Sequence, residues 1–423
     1  MTNAQVYRAT VEHERTLAKK RTDEYERKLA KKRQELEQQL KALPQARTWV
    51  PQLLKVQKTI SKYWPLHWPL VEAQITMCAT LLLENVTQSM ALFTIGPSGS
   101  GKSTTLKMFR VPERVQLVYA QAGVRPPIDE QDDFTMAAFL SHYSEAEGSV
   151  LEAGALAFVL QHRVMLTSEL GPLFRGNREV LQQRFTKLAQ ILDGEGIRSS
   201  SGVHGTLGKK GDFTFVWLGG TTPFRGETWR TMASLGTRLL FFATDEHADE
   251  CPEELFAQAQ IECQEAVSAL IEEMFAQTKK RSVPWPEVEP MRKQIRELAK
   301  LCAAGQSYGG SGTDEDPNRP SPGHFRQRLM QLACAHAWMH GRDVLTEEDL
   351  PMLRHITSSS MPASRGPVLL LMSQGAQTVS EICALSGLQE DLVRKTLARL
   401  AGTGGVQKKA GLPTDRWEIR WDR

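Results

Sequence analysis

The sequence predicts an α/β protein. A parallel sheet covered by helices is preceded by a helical extension and followed by a helical region and a small winged helix. Three observations carry this. A glycine-rich loop joins a short apolar run to a helix-forming stretch across residues 91–109. Further apolar runs alternate with stretches of helical pattern, as in sheets whose strands are buried on both faces by crossover helices. The C-terminal residues read helix, helix, turn, helix, hairpin.

The elements come in this order. Residues from about Val11 to Leu43 hold no Gly or Pro and are dense in Lys, Arg, Glu and Gln, which favours one long helix ended by Pro44. Leu29, Leu36 and Leu43 repeat every seven residues, but Lys32 and Gln39 interrupt the seam. Residues 1–45 are therefore expected to be a solvated helical extension, with an arm for a protein partner as the alternative. Trp49, Trp64 and Trp68, with Pro65 and Pro69, read as a packed connector, and Leu70–Val86 as a helix leading into the first strand, Ala91–Ile95. Val164–Glu169, Phe213–Leu218 and Leu239–Phe242 are the next strands, so the α/β core covers 46–250. Helical pattern from Pro252 to Leu301, a polar loop at 309–323 and helices at His324–Gly341 and Thr346–His355 make a helical region, 251–356. Residues 357–366 read as a linker. In 366–423, helices at Val368–Ser373, Thr378–Leu385 and Gln389–Leu400 precede a hairpin within Val406–Trp421, turning at 411–413.

Composition bounds the function. The chain of 423 residues is long enough for two or three domains, and 41% hydrophobic with 24% charged residues is ordinary for a soluble protein. A net charge of +3 argues weakly for any polyanionic partner, so local patches must carry that case. From Arg394 onward eight basic residues stand against three acidic ones, which suits contact with DNA phosphates; Arg394, Lys395, Lys408 and Lys409 are the candidates. The six cysteines form no C-x-x-C pair, which argues against a zinc ribbon or a disulfide framework. Cys334, His336 and His340 lie close together, but no further ligand is nearby in sequence and ordinary helix packing is expected. A charged N-terminus and the lack of any apolar run near ~20 residues point to a cytoplasmic protein without membrane contact.

Gly96, Pro97, Ser98, Gly99, Ser100, Gly101, Lys102 and Ser103 fit G-x-x-x-x-G-K-[ST] at every fixed position. Strand, loop and helix are the context that makes this a phosphate-binding loop. Its backbone N–H groups can wrap an anion, with the helix opening at Thr104 adding partial positive charge. Lys102 is placed for the β- and γ-phosphates and Ser103 for Mg²⁺. In parallel sheets the ligand sits at the carboxyl ends of the strands. Glu169 and Thr222 stand at two such ends, placed to activate the attacking water and to hydrogen-bond the γ-phosphate. Arg238 and Arg326 are the guanidiniums available for the charge of the transition state.

This order of motifs resembles the AAA+ ATPases, and within them the minichromosome maintenance (MCM) helicases. The resemblance covers roughly 70–420. Phe134–Ala138 followed by Val150–Leu156 matches the L-T-A … L-E-A-G-A-L stretch of the family. Residues 196–211 fall where the family has a hairpin that projects into a central channel. Ser234–Arg238 matches its arginine-finger segment. His324–Leu329 matches its sensor-2 helix, and Val344–Asp349 the segment after that helix. The resemblance implies an ATP- and Mg²⁺-dependent DNA translocase or helicase, working as a ring or spiral homo-oligomer with a hexamer as default. Arg238 would act on a neighbour's ATP, and Lys209, Lys210 and His204 would contact single-stranded DNA. Two departures stand out. Ser168 replaces the aspartate of the family's I-D-E, which puts the Mg²⁺ contact in doubt. Residues 1–90 also leave no room for the family's N-terminal DNA-binding tier, as in compact forms from bacterial mobile elements and phages. A protein-remodelling ATPase of the MoxR or chelatase type, or a nucleotide-switched DNA-binding scaffold, are the alternatives.

Overall fold

The computed structural model describes residues 48–84, 86–131, 136–139, 142–144, 149–151, 155–201, 205–211, 213–224, 226–234, 238–245, 251–276, 289–308, 320–409 and 416–420. The expected extension at 1–45, and His204, lie outside the described residues.

The sheet comprises β1 (Met90–Ile95), β2 (Ile128–Glu130), β5 (Val164–Thr167), β8 (Val216–Thr221) and β9 (Leu239–Ala243), all parallel, in the order β2-β5-β8-β1-β9. Taking these five strands in chain order as first to fifth, the sheet reads 2-3-4-1-5, the AAA-like arrangement. Side chains alternate between two cores, as a pleat of period two requires. Met90, Leu92, Val164, Leu166, Val216, Leu218, Leu240 and Phe242 enter one core; Ala91, Phe93, Met165, Trp217, Leu239 and Phe241 enter the other. Both faces are covered, which is why the strands read as near-continuous apolar runs.

The first core is roofed by α1 (Trp49–Tyr63), α2 (Trp68–Ala79), α3 (Lys102–Met108) and helices from the C-terminal half. α1 buries Trp49, Leu53, Val56, Ile60 and Tyr63, the three-and-four spacing of one helix face. Trp49, Trp64 and Trp68 are all buried, and Trp49 stacks on Trp338 at 4.3 Å, so the connector is packing rather than a stacking surface for bases. α4 (Glu113–Gln121) lies before β2 in the chain. Between β2 and β5 come a hairpin of β3 (His142–Ser144) and β4 (Ser149–Leu151) and the short α5 (Leu156–Val159). α5, α6 (Arg178–Leu192) and α7 (Gly226–Ser234) cover the second core. Asn177 caps α6 by accepting from the Val180 N–H at 2.9 Å. β6 (Gly196–Ser201) and β7 (Gly205–Lys210) form the expected antiparallel hairpin.

The C-terminal half holds α8 (Phe256–Phe275), α9 (Glu289–Gln306), α10 (Pro322–Met339) and α11 (Leu350–Ser359). α12 (Arg365–Ser373), α13 (Val379–Ser386), α14 (Glu390–Gly402), β10 (Val406–Lys408) and the antiparallel β11 (Trp417–Ile419) complete the winged order.

Three expectations are corrected. The helix expected over Leu70–Val86 starts at Trp68 and stops at Ala79, followed by a 3-10 turn, Thr80–Leu82. The strand expected at Phe213–Leu218 is β8, Val216–Thr221, so it starts later and takes in Gly219 and Gly220. The expected linker at 357–366 is no linker. α11 runs through Ser359, and the Ser360 and Ser359 hydroxyls accept from the Phe241 and Ala243 N–H groups at 3.1 and 2.9 Å. β9 is an edge strand, and these two hydroxyls satisfy donors that would otherwise stand open.

Candidate nucleotide-binding site

The loop Gly96–Ser103 leaves β1 between β8 and β9. The Gly96 N–H donates to the Thr221 carbonyl at 3.2 Å, so the loop starts fastened to the end of β8. Gly101 closes it at φ 75°, and a Cβ there would stand 1.8 Å from His67 Nε2. Only glycine allows both the left-handed backbone and the imidazole packed against it. Lys102, the first residue of α3, folds back over the loop. Its Nζ donates to the Gly96 carbonyl at 2.8 Å, to the Pro97 carbonyl, and to Ser100 Oγ at 3.3 Å. Burial pulls its ammonium below the usual lysine range, against the opposing charge of Glu169. Ser103 is exposed and Thr104 half-buried on the next two positions of α3.

Ser168 and Glu169 follow β5. Glu169 Oε1 accepts from the Gly171 N–H at 2.6 Å, and the Leu170 N–H donates to the Gly220 carbonyl at 2.8 Å. Gly220 lets these segments close up, since a Cβ there would lie 3.1 Å from the Ser168 carbonyl and 3.6 Å from Lys102 Cβ. Thr222, exposed, follows β8; Thr221 before it is buried. The carboxyl ends of β1, β5 and β8, which are neighbours in the sheet, thus gather Lys102, Ser103, Ser168, Glu169 and Thr222.

Sequence reasoning missed the next layer. Thr244, just past β9, donates to Ser100 Oγ at 2.9 Å. A cavity of about 440 Å³ opens beside the loop, lined by Leu66, His67, Leu70, Ser100, Thr244 and Met352 among others. Its size and largely apolar wall suit a planar ring system.

Arg238 is not with this group in the chain. Arg238 precedes β9, and the register Ala91↔Leu239 sets it beside the start of β1. The loop follows the other end of β1, a strand length away, roughly 20 Å. Arg238 Nε and Nη2 donate to both carboxylate oxygens of Asp193 at 2.8–3.0 Å. Arg328, with no exposed surface, donates to the Ser89 carbonyl at 2.6 Å and the Leu192 carbonyl at 3.2 Å, and lies 3.8 Å from Asp193. Burial pushes its guanidinium down to about 10, against the attraction of Asp193. Arg326 is exposed two residues earlier on α10. Arg238 therefore stands at the opposite end of β1 from its own phosphate loop.

Lys209 and Lys210 end β7, opposite Ile197 and Gly196 of β6. On α14, Arg394 and Lys395 are exposed, Arg394 pairing with Glu390 at 2.6 Å. Lys408 is exposed with its Nζ 5.4 Å from the centre of the Trp417 ring, and Lys409 lies 3.9 Å from Glu418.

No protein-family model and no curated protein sequence matches the chain. Among solved structures it is similar to a full-length MCM homolog from Methanopyrus kandleri, with a TM-score of 0.39 and 12% sequence identity. That match covers 75% of this chain and 63% of the homolog, so the chain spans less than two thirds of its length. It is also similar to the apo C-terminal region of NrS-1, with a TM-score of 0.28 and 9% identity, covering 88% of this chain and 76% of that one.

Proposed function

We propose that this chain is an ATP-driven motor of MCM-like AAA+ type that acts on DNA as a ring or spiral of identical subunits. The observation that carries the reading is the division of one chemistry between the two ends of β1. The loop, Glu169 and Thr222 stand at one end and Arg238 at the other. A head-to-tail interface joins the two ends of neighbouring copies, and such interfaces close into rings or open into spirals.

The residues present fit the nucleotide. Lys102 donates to neutral oxygens of the loop, Gly99 and Gly101 adopt positive φ, and the cavity lies beside the loop. ATP with Mg²⁺ supplies a phosphoanhydride whose hydrolysis drives the motor. The loop N–H groups and Lys102 hold negative charge, and the Ser103 hydroxyl offers a metal ligand. Glu169 orients a water and takes its proton. Thr222 steadies that water by hydrogen bonding. Arg238 of the adjacent copy brings positive charge where it develops, and a guanidinium so placed accelerates phosphoryl transfer by ~10³–10⁵; Arg326 is a further guanidinium for the nucleotide. Lys209 and Lys210 on the hairpin and the basic α14 and wing hold DNA backbone.

Ser168 favours a second reading, a nucleotide-switched DNA-binding scaffold, because a serine beside Lys102 lacks the negative charge that helps bind Mg²⁺. One assay separates the two. ATP turnover by the full chain should rise several-fold with single-stranded DNA and accompany strand displacement. Tight ATP and DNA binding with about one turnover or less would favour the scaffold. Turnover indifferent to DNA would sink the DNA-motor reading and leave protein remodelling.

A further inference from the structure

Helix α10 presents His336 and His340 one turn apart, and α2 brings Glu72 against both. His340 Nε2 is 3.1 Å from Glu72 Oε1 and His336 Nε2 is 3.8 Å from the same oxygen. The three ligand atoms lie within 4.8 Å of one another. His336 is buried, and Glu72 and His340 are 20% and 30% exposed.

The orientation of His336 is imposed from behind. Its Nδ1 is 2.6 Å from Asp349 Oδ1. Asp349 is buried and accepts from Arg342 through both oxygens, at 2.7 and 3.0 Å, and from the Thr346 N–H at 2.8 Å. Burial opposes its charge, but hydrogen bonds from His336, Arg342 and Thr346 outweigh this and hold it below the usual carboxylate range. The Nδ1–Asp349 contact leaves Nε2 as the ring nitrogen that faces Glu72 Oε1, and His340 Nε2 faces the same oxygen, so ligand atoms from α10 and α2 converge within 4.8 Å of one another. A shared proton and a metal ion are the two cations that such a cluster can hold.

We propose that Glu72, His336 and His340 bind a zinc-class divalent metal that fastens the C-terminal end of α10 to α2. Two imidazoles and a carboxylate suit Zn²⁺, and an Asp–His–metal relay is the usual way such an imidazole is aimed. Ligand bonds of about 2.0–2.2 Å put donor atoms roughly 3.3 Å apart around a tetrahedral ion, close to the spacings seen here. Glu72 also lines the cavity beside the phosphate loop, from which water can complete the coordination. Cys334 stays outside the set, because the ligand atoms that converge within 4.8 Å of one another are those of Glu72, His336 and His340. The site does not depend on the motor reading.

The test uses the full chain, stripped with EDTA, without nucleotide. Titrated with Co²⁺, it should take up an equimolar amount, show ligand-field bands without a thiolate charge-transfer band, and lose them to Zn²⁺ but not to excess Mg²⁺. Zn²⁺ should raise the unfolding midpoint. Asp349→Asn should weaken metal affinity ~10–100-fold. His340→Ala, at a partly exposed position, should abolish the bands while circular dichroism confirms the fold, and Glu72→Gln provides a second variant if that one misfolds. No cobalt spectrum, a thiolate band, or unchanged affinity in His340→Ala and Glu72→Gln would each overturn the site.

Discussion

The two ends of the central sheet hold their cations in opposite ways. At the carboxyl ends, Lys102 rests on the loop's own carbonyls and one hydroxyl, all neutral. At the amino ends, Arg238 rests on a carboxylate that also lies near the buried Arg328. Neutral acceptors are readily exchanged for an anion; a bidentate ion pair is not. One end is thus ready for a ligand and the other is locked until something competes with Asp193. On the proposed motor reading, a lone copy would keep Arg238 engaged until a neighbour's phosphates compete for it.

The largest test of this contrast removes one half-site at a time. Lys102→Ala should abolish nucleotide binding, whereas Arg238→Ala should bind nucleotide normally and lose hydrolysis by ~10³-fold or more. Mixing the two variants should restore part of the activity, because each supplies the half the other lacks. Equal defects with no recovery on mixing would make Arg238 a structural residue alone.

Asp193→Asn sharpens the contrast with a smaller effect. It keeps the shape but leaves Arg328 and Arg238 without their carboxylate, and should lower stability by ~1.5–3 kcal/mol in denaturant unfolding. If Arg238 must leave Asp193 to work, turnover below the new midpoint should rise. Unaltered turnover would mean that the pair stays closed in the working state.

The smallest effect lies in the winged region. N–H groups of Gln377 and Thr378 hold the Glu381 carboxyl below its ordinary 4.5, with burial acting weakly the other way. A depressed folded-state value gives stability that is present above about pH 4.5 and lost as pH falls through the lowered value. The protection of the 377–386 amides, corrected for the pH dependence of intrinsic exchange, should therefore fall in acid in the wild type. Glu381→Gln, which keeps the capping geometry, should show a flatter pH dependence.

The same physics decides which parts of the molecule are legible in the sequence. The phosphate loop and apolar strands are legible because both rest on local pattern, a fixed spacing and burial on two faces. The end of β8 is not, because Gly219 and Gly220 look like a turn; they are strand residues made small so that Ser168, Leu170 and Lys102 can close on them. Residues 357–366 mislead because serine-rich composition signals a loop, while here two hydroxyls take the place of a sheet ladder. His67 against Gly101 and Thr244 against Ser100 have no spacing signature at all. Glu72 and His340 are 268 positions apart, so the third metal ligand cannot be found by reading near the histidines.

The serine pair on the edge of β9 has a mechanical consequence. α11 cannot swing away from the sheet without releasing Phe241 and Ala243, and the residue after that strand is Thr244, which touches the phosphate loop. The join between α11 and the C-terminal helices is therefore tied to the loop end of the sheet. A displacement begun at Ser100 has a two-tooth coupling through which to reach those helices.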